Sequence, residues 1–252
     1  AAKNKIHPTY IQKILSDKRY KPQDYLSILN TLKKIGAKKF NPYKLVNSSQ
    51  FFYSNPKGKW CPINMFKNRD VLIVGPGASI IKHKKKIENF ILKNNILVIC
   101  INTSKNLNEK LIDFRVACHP MRIMSDMNFH FKNNSKIAMP YTMMPKKIKK
   151  SIYLKKSRIL DYGLYLNYKN TVKANKYFCE LPNPLAIGYS LSIAISGKSN
   201  SIYLAGIDGY ESNDPKSDET ERILDLFKKR YKPLKLKSLT KTKYNLKNKR
   251  LN

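Results

Sequence analysis

Apolar residues arrive along this chain in short blocks, each ending on a polar or glycine-rich group. The run Val71 to Val74 is too short for a helix and suits a parallel strand covered on both faces. Ile96 to Ile101 is a second such run, ending at Asn102, and Phe114 to Cys118 a third, ending at His119-Pro120. Lys136 to Met139 ends at Pro140, and Ser201 to Ala205 at Gly206-Ile207-Asp208-Gly209-Tyr210. Tyr177 to Cys179 and Leu234 to Leu236 are shorter strand candidates. Helical spacing falls between them, at Ile80, Ile81, Ile87, Phe90 and Ile91, and again from Pro184 to Ser196. Strands alternating with helices predict an α/β fold: a Rossmann-like, mostly parallel sheet with helices on both faces.

The first part of the chain reads differently. Ile6, Tyr10, Ile11, Ile14 and Leu15 form one helical stripe, and Tyr25, Leu26, Ile28, Leu29 and Leu32 another after Pro22, closed by Gly36. Residues 41 to 68, with Pro42, Ser48-Ser49, Pro56-Lys57-Gly58 and Pro62, predict a linker or irregular loop. The expected division is a helical N-terminal segment and linker over 1–62 and a Rossmann-like nucleotide-binding domain over 63–252.

In an open parallel sheet, ligands sit beyond the carboxyl ends of the strands. There this chain places Gly75-Pro76-Gly77, Asn102-Thr103-Ser104, His119-Pro120 and Asp208-Gly209-Tyr210, which should converge on one cleft. Gly75 and Gly77 admit positive φ and close approach of a phosphate, and Ser79 is placed to cap the following helix, whose N–H groups attract anions. The spacing is neither the dinucleotide G-x-G-x-x-G nor the P-loop pattern, and a plain strand-to-helix turn would use the same residues. Asn102 suits a base or ribose, or a capping role. His119 suits a nucleotide hydrogen bond, phosphate stabilisation or proton transfer, or a structural role. Asp208 suits a ribose hydroxyl or a metal, or the turn chemistry of Asp-Gly. Asn183 before Pro184 is a candidate cap on a second anion-binding helix. The acidic stretch from Glu211 to Glu221 is either a carboxylate-rich helix N-terminus or a lid.

Composition changes the picture less than its size suggests. The net charge is +34, from 50 Lys+Arg against 16 Asp+Glu. Lysine supplies nearly all of it, spread through every segment, whereas a dedicated nucleic-acid face would concentrate arginine among aromatics. Clusters such as Lys82-Lys84-Lys85-Lys86 and Lys146-Lys147-Lys149-Lys150 instead suit anionic substrates or peripheral contact with an anionic membrane. Cys61, Cys100, Cys118 and Cys179 lie far apart and read as reduced, mostly buried residues. With no apolar run of about 18 residues and no signal-peptide core at Ala1-Ala2-Lys3, a cytoplasmic protein, at most at the inner face of the membrane, is expected.

The segments V-L-I-V-G-P-G-A-S, C-I-N-T-S, V-A-C-H-P-M-R, N-P-L-A-I-G-Y-S-L-S-I-A and I-Y-L-A-G-I-D-G-Y carry a resemblance. They are similar to the domain that follows the catalytic barrel in bacterial lipopolysaccharide-locus proteins of the 4-hydroxy-2-oxovalerate aldolase-like type. The opening I-H-P-T-Y-I-Q-K-I-L-S-D-K-R-Y resembles the helical segment after that barrel. More distantly, the same motifs resemble bacterial CMP-sialic-acid transferases. The resemblance implies nucleotide contacts at Gly75, Pro76, Gly77, Ser79, Asn102, the His119-Pro120 turn and Asp208, with a mobile lid near residues 211 to 235. It departs in two places: Pro76 stands where the transferases have asparagine, and their catalytic histidine near the lid has no counterpart. Aldolase chemistry does not carry over, because it needs a barrel with convergent metal ligands.

Three functions follow as expectations. The first is a glycosyltransferase-like enzyme using a nucleotide-activated acidic sugar, CMP-linked by resemblance, and a surface-glycan acceptor, with His119 and Asp208 as its catalytic candidates. No other cofactor and no metal is expected. The second is a noncatalytic nucleotide-binding module partnered with an aldolase-type barrel. The third is a nucleic-acid or anionic-surface binder.

Overall fold

The computed structural model describes residues 55–251, leaving out 120, 121, 124, 125, 145, 151, 168, 169 and 211–213. The helices expected over residues 6 to 36 lie outside the described residues. Inside the segment expected to be irregular, Ile63–Phe66 forms a short helix, α1, with Phe66 buried.

Eight strands form one sheet in which every pairing is parallel. They are β1 (Val71–Val74), β2 (Leu97–Ile101), β3 (Phe114–Val116), β4 (Lys136–Met139), β5 (Ile159–Asp161), β9 (Ile202–Ala205), β10 (Leu236–Ser238) and β11 (Lys247–Asn248). The spatial order is β11-β10-β9-β1-β2-β3-β4-β5. The chain thus builds outward from β1 through β5, returns to lay β9 on the other side of β1, and continues to β11. The reversal point falls between β1 and β9, where a doubly wound sheet opens its ligand crevice. A small second sheet, ordered β6-β8-β7, comes from Gly163–Leu166, Lys173–Ala174 and Phe178–Leu181.

All four side chains of β1 are fully buried, as are those of β2 apart from slight exposure at Ile101. The strict period of a strand then divides each run between two faces. Val71 and Ile73 point into one core and Leu72 and Val74 into the other. The second face is covered by α2 (Ser79–Asn94), through Ile80, Ile87 and Ile91. Asn95 ends α2 in the left-handed conformation at φ 47°, its N–H bonded to Ile91 O. Ile81, counted with the apolar stripe from sequence, is 63% exposed. The same side of the sheet carries α3 (Met127–Lys132) and α4 (Lys146–Lys150) near β4, over a satellite core of Ile123, Met127, Ile137 and Met139.

The first face holds α5 (Ala186–Ser196), α6 (Pro215–Arg230) and the small sheet. Every residue of α5 from Ile187 to Ala194 is buried, including two serines. Ser190 and Ser192 hydroxyls donate to Ala186 O and Gly188 O one turn back, which satisfies them without water. Gly188 has no room for a side chain, since a Cβ would meet Ile223 Cδ1 at 2.8 Å, and this closeness sets the approach of α5 to α6.

Residues 215–230 correct the expectation of a lid reaching to 235. They form a docked 16-residue helix with Ile223, Leu224 and Phe227 at most 1% exposed. Its start follows local rules: Asp214 caps it by accepting from Lys216 N–H at 2.9 Å, and Pro215 opens the first turn. Cys100, Cys118 and Cys179 are buried free thiols and Cys61 a half-buried one. No helix among the described residues is long and apolar enough to cross a membrane.

Candidate functional site

The loops after β1, β2 and β9 do converge, and they bond mainly to one another. Gly75 N–H donates to Ala205 O and Gly77 N–H to Gly206 O, both at 2.8 Å, extending the β1–β9 pairing past the strand ends. Ser79 is the first residue of α2 and not its cap, contrary to the sequence expectation. The cap comes from Asp208 instead: one carboxylate oxygen accepts from Ser79 N–H at 2.9 Å and the other from the Ser79 hydroxyl. The Gly75, Gly77 and Ser79 N–H groups, expected to help cradle a phosphate at this turn, are therefore already bonded within the protein.

The two glycines are explained by this contact. Positive φ in glycine occurs at Gly206 and Gly209, among the described residues, and not at Gly75 or Gly77, which corrects the expected reason for them. What they lack is space. A Cβ on Gly75 would stand 2.4 Å from Gly206 O and from Ile207 Cδ1, and one on Gly77 would stand 2.5 Å from the Asp208 carboxylate. Gly77→Val is accordingly expected to destabilise the fold by about 3 kcal/mol or more through overpacking, a fall of roughly 6–12 °C in Tm. A variant that melts with the wild type would overturn the packing explanation.

The loop after β2 braces the turn from the other side. Ser104 Oγ donates to Gly75 O at 3.1 Å, and Asn106 Nδ2 to Pro76 O and Gly77 O at 3.0 and 3.1 Å. Pro76 contributes a carbonyl acceptor and no N–H. Asn102 sits at the head of this loop with φ 52°, its N–H on Val116 O and its carbonyl accepting from Arg115 at 2.9 Å. Its half-buried carboxamide has no hydrogen-bond partner among the described residues.

Arg115 organises that loop and was not anticipated. It is fully buried in the middle of β3. Its guanidinium is paired with both carboxylate oxygens of Glu109, donates to Asn102 O and Ser104 O, and lies 4.9 Å from the centre of the Phe129 ring. The signal was present in the sequence: one arginine inside an otherwise apolar strand must find a buried partner. Asn106 and Glu109 are local to the same stretch but carry no pattern that announces their partners.

Further along the same edge, His119 follows β3 with 7% exposure, and its carbonyl accepts from Ile123 N–H at 3.0 Å. Arg122 beyond it donates to Thr103 Oγ1 at 3.3 Å and pairs with Asp126 at 2.6 Å, which places a half-exposed cation beside the Asn102 loop. Asn183 does not cap α5. The cap residue is Leu185, extended and without a side-chain bond to the helix, and Asn183 offers its carbonyl to Leu185 N–H at 2.8 Å. Cys118 Sγ donates to Pro184 O at 3.3 Å, so the uncapped start of α5 stands beside the end of β3 and His119. Burial pushes the Cys118 thiol up to about 12, so it remains a thiol.

The strand-end residues thus fall into two groups. Gly75, Pro76, Gly77, Ser79 and Asp208 form a self-bonded knot. Asn102, Arg122, His119 and the start of α5 line the edge over β2 and β3. A groove of about 450 Å³ lies elsewhere, along the outer face of α6 between Asp218, Glu221, Arg222, Asp225, Leu226 and Lys229. All six come from one helix and none from a strand end, so it is a helix surface and not the crevice of the sheet.

Fold and edge together define a doubly wound, parallel α/β domain with polar residues gathered beyond the carboxyl ends of β1, β2, β3 and β9. No known family model and no curated protein matches the sequence.

Proposed function

We propose that this chain binds a nucleotide-activated sugar along the edge over β2 and β3 and transfers the sugar to a glycan acceptor. The observation that carries the reading is the unpartnered Asn102 carboxamide, held in a left-handed turn by Arg115 at the carboxyl end of β2 in a parallel sheet. In this reading Asn102 recognises the base or ribose. The uncapped N–H groups of α5 and the Arg122 guanidinium receive the phosphate, and stabilise it as it leaves. His119 takes the proton from the acceptor hydroxyl as its oxygen attacks the anomeric carbon. Asp208 is a positioning residue, because its carboxylate is held by Ser79. A CMP-linked acidic sugar is the donor suggested by resemblance, and the basic surface favours an anionic substrate.

A second reading, a noncatalytic nucleotide-binding module partnered with an aldolase-type barrel, draws support from that same engagement of Asp208. Thermal melting against CMP, CMP-linked sugars and other nucleotides tests both. Saturating ligand is expected to raise Tm by about 5 °C or more. Asn102→Gly, which keeps the left-handed backbone accessible, should abolish most of that rise while barely moving the unliganded Tm. Turnover of the sugar nucleotide with a glycan acceptor separates the enzyme from the module. No stabilisation by any nucleotide would overturn both.

A further inference from the structure

Between Asp126 and Asp161 the sequence contains eight lysines, one arginine and no acidic residue. Its exposed residues lie around β4 and β5 at one end of the sheet, and they include two of the large exposed apolar side chains, Phe131 at 53% and Tyr153 at 49%. Their rings touch, with centroids 5.2 Å apart at 62°.

The pair is held outward by its surroundings. Tyr153 lies between Ile152 and Leu154, both 7% exposed and packed in the core beside β4, so the extended segment presents the ring to solvent. The Tyr153 hydroxyl donates to Asn128 Oδ1 on α3. Arg158 ties the end of α3 to the start of β5, donating to Phe131 O at 3.4 Å and to Ser135 O at 2.9 Å. Lys132 follows Phe131 directly, Lys150, Lys155 and Lys156 lie within three residues of Tyr153, and Lys136 opens β4; the side chains of all five are exposed. None of these five has a carboxylate partner among the described residues.

We propose that this surface docks the protein on a bilayer containing anionic lipid. Two aromatic rings in a ring of lysines are what an interfacial anchor requires: the rings enter the headgroup layer, and the ammonium groups meet lipid phosphates. Charge selects this occupant over a second copy of the chain, which would bring a like-charged face. Lysine in place of arginine, and rings tilted edge to face instead of offering flat platforms, select it over nucleic acid. Lys136 opens β4 and Lys156 opens the single helical turn that leads into β5, so the patch lies toward the N-terminal edge of the sheet. Docking there leaves the opposite edge, with Asn102 and His119, facing solution. The inference does not depend on the proposed transferase activity.

The test is cosedimentation of the full chain with vesicles of neutral phosphatidylcholine, or with about 30% phosphatidylglycerol, at about 150 mM salt. Binding to the anionic vesicles is expected to exceed that to neutral ones by about tenfold or more. Phe131→Ser with Tyr153→Ser should weaken it by about tenfold, and so should Lys132→Gln, Lys155→Gln and Lys156→Gln together. The same charge removed from α2, by Lys82→Gln, Lys85→Gln and Lys93→Gln, should change it by less than about twofold. Circular dichroism checks folding, and the lysine variant alone decides the matter if the aromatic one fails to fold. The proposal is overturned if the wild type ignores anionic vesicles, or if the α2 variant loses as much as the patch variant. It is also overturned if the patch variants lose binding to a single-stranded oligonucleotide while keeping the vesicles.

Discussion

Glu109→Ala is expected to destabilise the protein by about 3 kcal/mol, read as a fall in the denaturant midpoint at unchanged slope. The guanidinium of Arg115 is fully buried, and its carboxylate partner accepts from both Nε and Nη2. Removing Glu109 leaves a cation in the interior with carbonyl oxygens and a thiol for company. Breaking a buried pair on one side costs about 3–5 kcal/mol, and the 37% exposure of Glu109 keeps the effect at the lower end. Replacing both partners, Arg115→Met with Glu109→Leu, should recover much of that loss, since no charge is left stranded. It should not recover nucleotide-dependent stabilisation, because Asn102 O and Ser104 O lose the donor that fixes their loop. A Glu109→Ala protein as stable as the wild type would show that the pair contributes nothing beyond its solvent-exposed counterpart.

Acid should weaken the protein through His130 before most carboxylates protonate. The imidazole is fully buried on α3, and neither ring nitrogen has a hydrogen-bond partner among the described residues. Burial, reinforced by the Arg115, Arg158 and Arg122 guanidinium groups, lowers its pKa from 6.5 to about 4. Above pH 6.5 the ring is neutral in both folded and unfolded chains, and the group contributes no pH dependence. Between pH 6.5 and about 4 the unfolded chain binds a proton that the folded one refuses, so stability falls as pH falls, by up to about 3 kcal/mol. His130→Leu removes the titration while keeping an apolar group in the site. The stability of the variant relative to wild type should rise steadily from pH 7 to pH 4 in urea melts. A difference that stays flat with pH would mean that the buried ring is protonated as readily as in the unfolded chain.

The strands with four or more consecutive apolar residues, β1, β2 and β9, were legible because both faces of each are covered and no polar residue interrupts them. Strand β4 was also legible, from the apolar run closed by Pro140. Strands β5, β6, β7 and β11 were not. Each is two to four residues long, and β6 opens on a glycine, so neither periodicity nor propensity had room to act. The gathering of strand ends followed from topology alone. What was not legible is which polar groups spend their bonding capacity on each other. Ser79 and Asp208 stand 129 residues apart, and nothing near either one announces the other. Asn183 misled for a local reason: an Asn-Pro pair before an apolar run imitates a cap, but Leu185 turns the corner two residues later.

The bond between Asp208 and Ser79 also sets the terms on which the start of α2 can meet the outside world. A carboxylate fixed by the fold at hydrogen-bond distance acts at an effective concentration on the order of millimolar or above, present at all times and independent of what the cell supplies. A dissolved phosphate reaches the Ser79 N–H only by evicting it, and eviction leaves residues 206–210 held by Gly77 and Thr240 on Gly206, Thr242 on Ile207 and Lys243 on Asp208 and Tyr210. An anion on Ser79 and the Asp208 carboxylate therefore exclude one another, so the glycine turn answers to the far end of the chain before it answers to any ligand.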